Sequence, residues 1–99
     1  MRSRLELHAK LTKIVSNVYY QPPESVRLKY PCIVYEKTDE QHLYADNLKY
    51  RGMAVYDITV ITKDPNSEIP GCVGSLPYCS FSRAFASNNL NHSVYRIYF

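Results

Sequence analysis

The sequence lacks the motifs by which nucleotide-binding proteins and common hydrolytic enzymes are recognised. Its only three glycines, Gly52, Gly71 and Gly74, form neither a G-x-x-x-x-G-K loop nor a G-x-G-x-x-G loop. It contains no G-x-S-x-G nucleophile elbow and no H-E-x-x-H zinc motif. No apolar run approaches the roughly 20 residues that a membrane-spanning helix needs. These absences predict a protein that is not an enzyme and that does not span a membrane.

Cysteine is also scarce, and the three that occur are Cys32, Cys72 and Cys79. An odd count without a secretory signal predicts reduced thiols in a cytosol-like compartment. The short C-x₂₋₄-C spacing of structural zinc sites is missing. We therefore expect no metal and no cofactor, and we interpret all three as small buried residues.

Charge of one sign is not concentrated anywhere in the chain. The formal net charge is +3, with lysine and arginine scattered through 99 residues. A nucleic-acid surface usually shows a basic block or stripe, which is absent here. Aromatic and basic residues nevertheless interleave at Tyr50-Arg51 and along 95–98 (YRIY), as in stacking platforms for single strands. A small nucleic-acid-binding module using this Tyr/Arg mixture therefore stands as the alternative hypothesis.

Chemically active side chains occur without the partners that catalysis needs. Three histidines (His8, His42 and His92) have no nucleophile pattern beside them, and we interpret them as surface residues. Asp39, Glu40 and Asp46 lie in one polar stretch but lack the regular ligand spacing of a calcium loop. We predict no catalytic and no metal-binding residue.

What the sequence does contain is the pattern of a single α+β domain over residues 1–99. A capping box, Ser3 to Glu6, opens an apolar stripe at helical spacing, which predicts a helix over Ser3–Val18. Four β-rich runs follow: Cys32–Glu36, Met53–Thr62, Cys79–Ala86 and His92–Phe99. Helix-then-strands order predicts an antiparallel sheet of about four strands, with the helix packed on one face.

Two connections in this predicted sheet are informative. Ser67 and Glu68-Ile69-Pro70 indicate a short second helical turn, which Gly71 and Gly74 weaken. The asparagine-rich run 87–91 predicts a turn, so the third and fourth strands should form a hairpin.

Between the first two strands lies a long polar hairpin or loop at about residues 38–52. A tight hairpin needs only two to five connecting residues, so this segment extends well beyond a simple turn. It carries charges of both signs, which either remain solvated or pair with another chain.

The order of motifs resembles the tail-terminator or tail-completion proteins of tailed bacteriophages, a group that also covers head–tail joining proteins. The likeness spans nearly the whole chain. It is carried by the opening helix, Y-P-C-I-V-Y-E (30–36), Y-A-D-N (44–47), Y-x-I-T-V-I-T-K-D-P (56–65), L-P-Y-C-S-F (76–81) and N-L-N-H (89–92).

The resemblance implies a structural virion protein that forms a ring, commonly a hexamer, at the head-proximal end of a tail tube. Such a ring stops tube polymerisation and joins the tail to neck or connector proteins, with DNA passing through its lumen. The protein would be assembled in the host bacterial cytoplasm. Under this hypothesis the long loop and the terminal strand, taken to be a free sheet edge, contact neighbouring subunits. The predicted interface residues are Asp39, Glu40, His42, Tyr44, Asp46, Asn47, Lys49, Arg51, Tyr98 and Phe99.

Overall fold

The computed structural model describes residues 4–23, 25, 27–41, 44–45, 48–49, 53–64 and 66–99. For residues 39–41, 44–45, 48–49 and 53 the description covers the backbone alone. The elements along the chain are α1 (Arg4–Thr12), β1 (Val18–Tyr20), β2 (Cys32–Gln41), β3 (Tyr44–Ala45), β4 (Leu48–Lys49), β5 (Met53–Thr62), α2 (Ile69–Gly74), β6 (Cys79–Ser87) and β7 (Leu90–Tyr98).

The protein has the predicted α+β class, with one main sheet, an N-terminal helix and a short second helix. The main sheet has five strands in the order β1-β2-β5-β7-β6, where about four were predicted. It is mixed, since β1 pairs parallel with β2 while every other pairing in it is antiparallel. Within the described ranges, strands β3 and β4 pair only with each other.

The additional strand arises where the predicted helix was too long. The helix was expected to reach Val18 but ends at Thr12, and the amides of Ile14 and Val15 both bond to the Leu11 carbonyl. The following β-branched and aromatic residues then form β1 against β2. Such residues favour strands, and pairing with a distant segment overrides their helical spacing. Ser3 lies outside the described residues.

The face of the sheet that the helices cover is called the helical face. Buried Leu7, Leu11 and Val73 from the two helices join one apolar cluster with this face. Its strand members are Ile33, Tyr35, Ala54, Tyr56, Ile58, Val60, Tyr95 and Ile97. Alternation along each strand places these residues on one side.

The opposite side is called the open face. Four of its side chains, Cys32, Val55, Ile61 and Val94, are buried but lie outside the cluster that contains the helical residues. Between them lie half-buried and exposed polar side chains, including Asp57, Thr59 and Arg96. Within the described residues this face therefore has no share in the packing against α1 and α2.

The predicted second strand has the predicted bounds, Met53–Thr62, whereas the first strand is longer than expected. Strand β2 continues from Glu36 to Gln41 because its backbone pairs with β5 as far as Met53, past an irregularity between Lys37 and Asp39. Part of the segment predicted as a loop at 38–52 is therefore paired strand.

The second helix forms despite its glycines, as the six-residue α2. A Cβ atom at position 74 would lie 3.1 Å from Cε2 of Tyr95, whereas one at position 71 would meet no described atom within 4 Å. Glycine at position 74 thus permits the close approach of α2 to β7. The Ser67 hydroxyl accepts a hydrogen bond from the Ile69 amide at the start of this turn.

The hairpin predicted from the third and fourth strands is confirmed, since β6 pairs antiparallel with β7. The connection is a two-residue turn, Asn88-Asn89, with φ angles of 53° and 62°. Asparagine tolerates this left-handed region, and two such residues match the turn that suits the twist of hairpin strands.

Candidate self-association surface

Strand β6 forms one edge of the main sheet and is exposed along almost its whole length. It pairs with β7 on one side and with no other described strand. All of its residues except half-buried Cys79 are exposed. An unpaired edge offers a row of backbone N–H and C=O groups that can pair with another chain. This edge is a nine-residue template for strand addition.

The side chains of β6 give this edge little protection. Natural edge strands are commonly blocked by lysine, proline or inward-pointing charge. The sequence CSFSRAFAS contains one charged residue, Arg83, and no proline. An irregularity between Phe81 and Arg83 interrupts the ladder with β7. Phe81 is 60% exposed and Phe85 is 46% exposed, so the edge also presents apolar area.

Contacts with β7 hold both phenylalanine rings in place. Phe81 meets Tyr95 edge-on, with ring centroids 5.5 Å apart. Phe85 stacks on His92 at 4.6 Å with an interplanar angle of 7°. Rings that are already ordered lose less conformational entropy when a partner covers them. The arrangement is therefore suited to a binding surface.

The opposite edge of the sheet is β1, which is shorter and half-buried. The pairing registers connect the two edges through three rows, each crossing all five strands. The rows are Val18–Ile33–Val60–Ser93–Ala84, Tyr19–Val34–Thr59–Val94–Arg83 and Tyr20–Tyr35–Ile58–Tyr95–Phe81. The first and third lie on the helical face and the second lies on the open face.

A hydrogen-bonded cluster attaches α1 to the sheet near β1. The Tyr35 hydroxyl is 3.1 Å from Nη1 of Arg4 and 2.8 Å from Nδ1 of His8. Because arginine can only donate, the hydroxyl accepts from Arg4, and its own proton is free for the contact with the His8 ring nitrogen. The Arg4 guanidinium also lies 4.3 Å from the ring centroid of Tyr20. His8 thus has a structural partner, in contrast to the surface role expected for it.

Burial raises the pKa of several tyrosine and cysteine side chains in the sheet. It raises the pKa of the Tyr35 hydroxyl, an effect that the neighbouring Arg4 guanidinium opposes. It also raises the pKa of the Cys32 thiol to about 11 and raises the pKa of Cys79. Thiols with raised pKa values are poor nucleophiles at neutral pH. Cys32 and Cys79 are therefore unsuited to nucleophilic catalysis.

The expectation that all three cysteines are buried is wrong for Cys72, which is exposed on α2. Cys32 is buried and Cys79 is half-buried. Among the described residues, no group of three or more His, Cys, Asp or Glu side chains is placed to hold a metal ion. No helix in the described ranges is long and apolar enough to cross a membrane.

A cavity of about 330 Å³ lies between the start of α2 and the β6–β7 hairpin. Its polar lining includes Asp64, Asn91 and Ser93, and Phe85 and His92 border it. The Nδ1 atom of His92 is buried and has no hydrogen-bond partner among the described residues. Asp64 is the one acidic residue in the part of the lining that the structure describes, and there it has no second carboxylate beside it for acid–base catalysis.

The predicted interface residues fall into three groups. Asp39 and Glu40 lie in β2 opposite Val55 and Ala54, and Tyr44 pairs with Lys49 in the small ladder. A second group lies outside the described residues and comprises His42, Asp46, Asn47 and Arg51. Where the structure describes them, Asp39, Glu40, Tyr44 and Lys49 thus lie in paired strands, and their contact with another subunit stays a prediction.

The third group is the terminal strand, whose assignment as a free edge is wrong. Strand β7 lies between β5 and β6. Phe99 is 4% exposed, and its amide donates to the Ala54 carbonyl at 2.9 Å. Tyr98 is half-buried on the open face. The exposed edge is β6 instead. The sequence signal that could have indicated it is the presence of Phe81 and Phe85 in a run with a single charged residue.

These features define an α+β protein with an apolar sheet edge and no assembled catalytic or metal site within its described residues. No protein-family model matches the chain, and no curated protein matches it.

Proposed function

We propose that this protein is a structural subunit that assembles with copies of itself into a ring, in the manner of a phage tail terminator. The observation that carries the proposal is the exposed β6 edge, with Phe81 and Phe85 on it. A nine-residue edge with exposed aromatic rings, which pairs with no further strand that the structure describes, is a liability for a monomer and a contact for an oligomer. When head-to-tail contacts close into a ring, every such edge is covered and the assembly does not grow into an open filament.

The continuation of β2 past its pairing with β1 leads to the second contact of the proposed ring. Beyond its pairing with β1, which ends at Tyr35, β2 continues for six residues to Gln41. At about 3.3 Å per residue this continuation is roughly 20 Å long. The β5 partners of this continuation, Tyr56, Val55 and Ala54, are buried in the core, so in the proposed assembly the segment that follows Gln41 makes the contact with a neighbouring subunit or the tail tube.

In the proposed assembly the ring sits at the head-proximal end of the tail tube and contacts tube and neck proteins. Its work is binding, without catalysis or a cofactor, and DNA passes through the lumen without being gripped. The small net charge of +3 is compatible with such passive passage. The protein acts in the virion after assembly in the bacterial cytoplasm.

The geometry does not favour the nucleic-acid-binding alternative. The residues of the run 95–98 alternate between the two faces, and Tyr95 is buried in the core. Nε of Arg96 lies 3.3 Å from Asp57, so a carboxylate already accompanies this cation. The aromatic and basic groups of this run therefore do not form one exposed stacking platform.

The proposal is tested by the mass of the purified protein across a range of concentrations, by light scattering, and by electron microscopy of the largest species. We expect ring-sized oligomers that persist after nuclease treatment. In cells producing the complete particle, loss of this protein should leave tubes of irregular length without heads. A chain that stays monomeric at every concentration, or that binds DNA with steep salt dependence instead, overturns the proposal.

Two matched variants connect assembly to the β6 edge. Phe81→Lys places a charge on the edge, whereas Leu5→Lys makes the same change on α1, where Leu5 is 65% exposed. Lysine on an edge opposes strand pairing. Phe81→Lys should therefore abolish oligomers while Leu5→Lys preserves them. Equal effects of the two variants would contradict assembly through this edge.

A further inference from the structure

We infer that the ring junction is a continuation of the main sheet, in which β6 of one copy pairs antiparallel with β1 of the next copy. This inference rests on the proposed function and names the surface through which assembly occurs. The occupant of the β6 edge is thus a second copy of this chain, bound through its opposite edge.

Strand direction is the first argument for this junction. Strand β1 runs parallel to β2, and three successive antiparallel pairings lead from β2 through β5 and β7 to β6. Strand β6 consequently runs opposite to β1. When identical copies are placed side by side, the two edges meet antiparallel, the commoner of the two pairing modes. Both helices of every copy then lie on the same side of the joined sheet.

The rows that cross the sheet provide the register. When each row continues unbroken into the next copy, Ala84 lies opposite Val18 and Phe81 lies near Tyr20, both on the helical face. Arg83 then lies opposite Tyr19 on the open face. The junction thus contains a small aliphatic pair, an aromatic pair and an arginine beside an aromatic ring.

Each of these pairs is chemically favourable. Cross-strand aromatic pairs stabilise sheets, and exposed Phe81 gains an aromatic neighbour to cover it. An arginine guanidinium close to a tyrosine ring makes a cation–π contact. The structure already contains such a contact within one copy, where Arg4 lies over Tyr20. Arg83 is the only charge on β6, so the aligned register has no like-charge opposition from that strand.

Pairing of two β6 strands about a two-fold axis is the competing arrangement. It joins the copies as dimers and leaves both β1 edges unpaired. A junction between β6 and β1 uses both edges of every copy, so a closed ring has no free edge. For an assembly that must close, the junction between β6 and β1 therefore leaves less backbone exposed than the pairing of two β6 strands.

Disulfide trapping tests both the partner strand and the register. In a background with Cys72→Ser and Cys79→Ser, the double variant Val18→Cys/Ala84→Cys places thiols opposite each other across the junction. The control is Val18→Cys/Ala86→Cys, which keeps the same strand and face but shifts the register by two residues. Because a disulfide requires Cα atoms within about 7 Å, we expect roughly tenfold more crosslinked multimers from the first pair.

Each outcome bears on the inference. A ladder of covalent multimers above the dimer from Val18→Cys/Ala84→Cys supports it. Covalent dimers from Ala84→Cys alone show β6–β6 pairing and overturn it, as does equal crosslinking in the register control. Oligomers seen by light scattering without any crosslink overturn the junction but leave the proposed function standing. A strictly monomeric parent protein overturns both.

Discussion

The helical face and the open face are built on the same strands, yet they depend on different interactions. On the helical face, Ile58 and Val60 are fully buried in a cluster that includes α1 and α2. On the open face, the intervening Thr59 is half-buried, and Asp57 and Arg96 form an ion pair near solvent. The comparison teaches that the core shared with the helices lies on one face, while the exposed β6 edge, and not the partly buried open face, is available for association.

The sharpest test of this difference is truncation of adjacent residues on β5. Ile58→Ala removes a fully buried side chain and leaves a cavity, so it should lower the free energy of unfolding by about 3 kcal/mol. Thr59→Ala, one residue along and on the open face, should lower it by less than about 1 kcal/mol. Urea denaturation of both variants measures the contrast. Equal losses would show that the open face is packed as tightly as the helical face.

A smaller loss of stability is expected when the Tyr35 hydroxyl, which connects α1 to the sheet, is removed. Tyr35→Phe removes the partner of both Arg4 and His8 and should cost about 1–2 kcal/mol, because half-buried polar groups then lose a hydrogen bond. The matched change Tyr19→Phe, on the open face, removes a 3.3 Å contact with the exposed Lys29 amide. It should stay within about 0.5 kcal/mol of the parent. Thermal unfolding followed by circular dichroism distinguishes the two.

Replacing the two glycines of α2 by alanine should change the free energy of unfolding in opposite directions. Gly71→Ala should stabilise the protein by about 0.5–1 kcal/mol, because the new methyl group meets nothing and alanine favours the helix. Gly74→Ala should destabilise by about 1 kcal/mol or more, since its Cβ would press on the Tyr95 ring. Denaturant midpoints measure both. Stabilisation by Gly74→Ala would show that the ring yields and that α2 packs loosely on the helical face.

Local patterns predicted much of this fold. Alternation set the bounds of Met53–Thr62, and the asparagine pair gave the β6–β7 hairpin. Strand β1 was missed because Val18 continues a helical spacing, and only its pairing with the distant β2 makes it a strand. The position of β7 between β5 and β6 was not predicted either, because it also depends on pairing between distant segments. A sequence shows that the terminal run is a strand, but burial between β5 and β6 results from contacts far apart in the chain.

The candidate surface was predicted less well than the fold. The sequence predicted self-association, but it predicted the interface in the polar segment 38–52 and in the terminal strand. Within one chain, an exposed Phe81 and a buried Phe99 look alike, because both occupy β-rich runs. Their difference depends on which strand lies at the edge, which side-chain chemistry alone does not determine.

The smallest predicted effect concerns the ion pair of the open face. The side chains of Arg96 and Asp57 are 50% and 21% exposed, so water and salt screen their attraction. Arg96→Ala should therefore change the free energy of unfolding by no more than about 0.5 kcal/mol. Arg83→Ala, on the same face, is the control, since no ion pair joins Arg83 to another residue that the structure describes.

The comparison between these two arginines also separates folding from association. In the monomer, both variants should unfold within about 0.5 kcal/mol of the parent, as is usual for exposed side chains. Under assembling conditions, only Arg83→Ala should shift the oligomer distribution toward monomer, because Arg83 lies on the edge and Arg96 lies inside the sheet. Light scattering and urea denaturation on the same samples give both quantities. A loss of monomer stability in Arg96→Ala alone, larger at low salt, would instead make the open face a contributor to the fold.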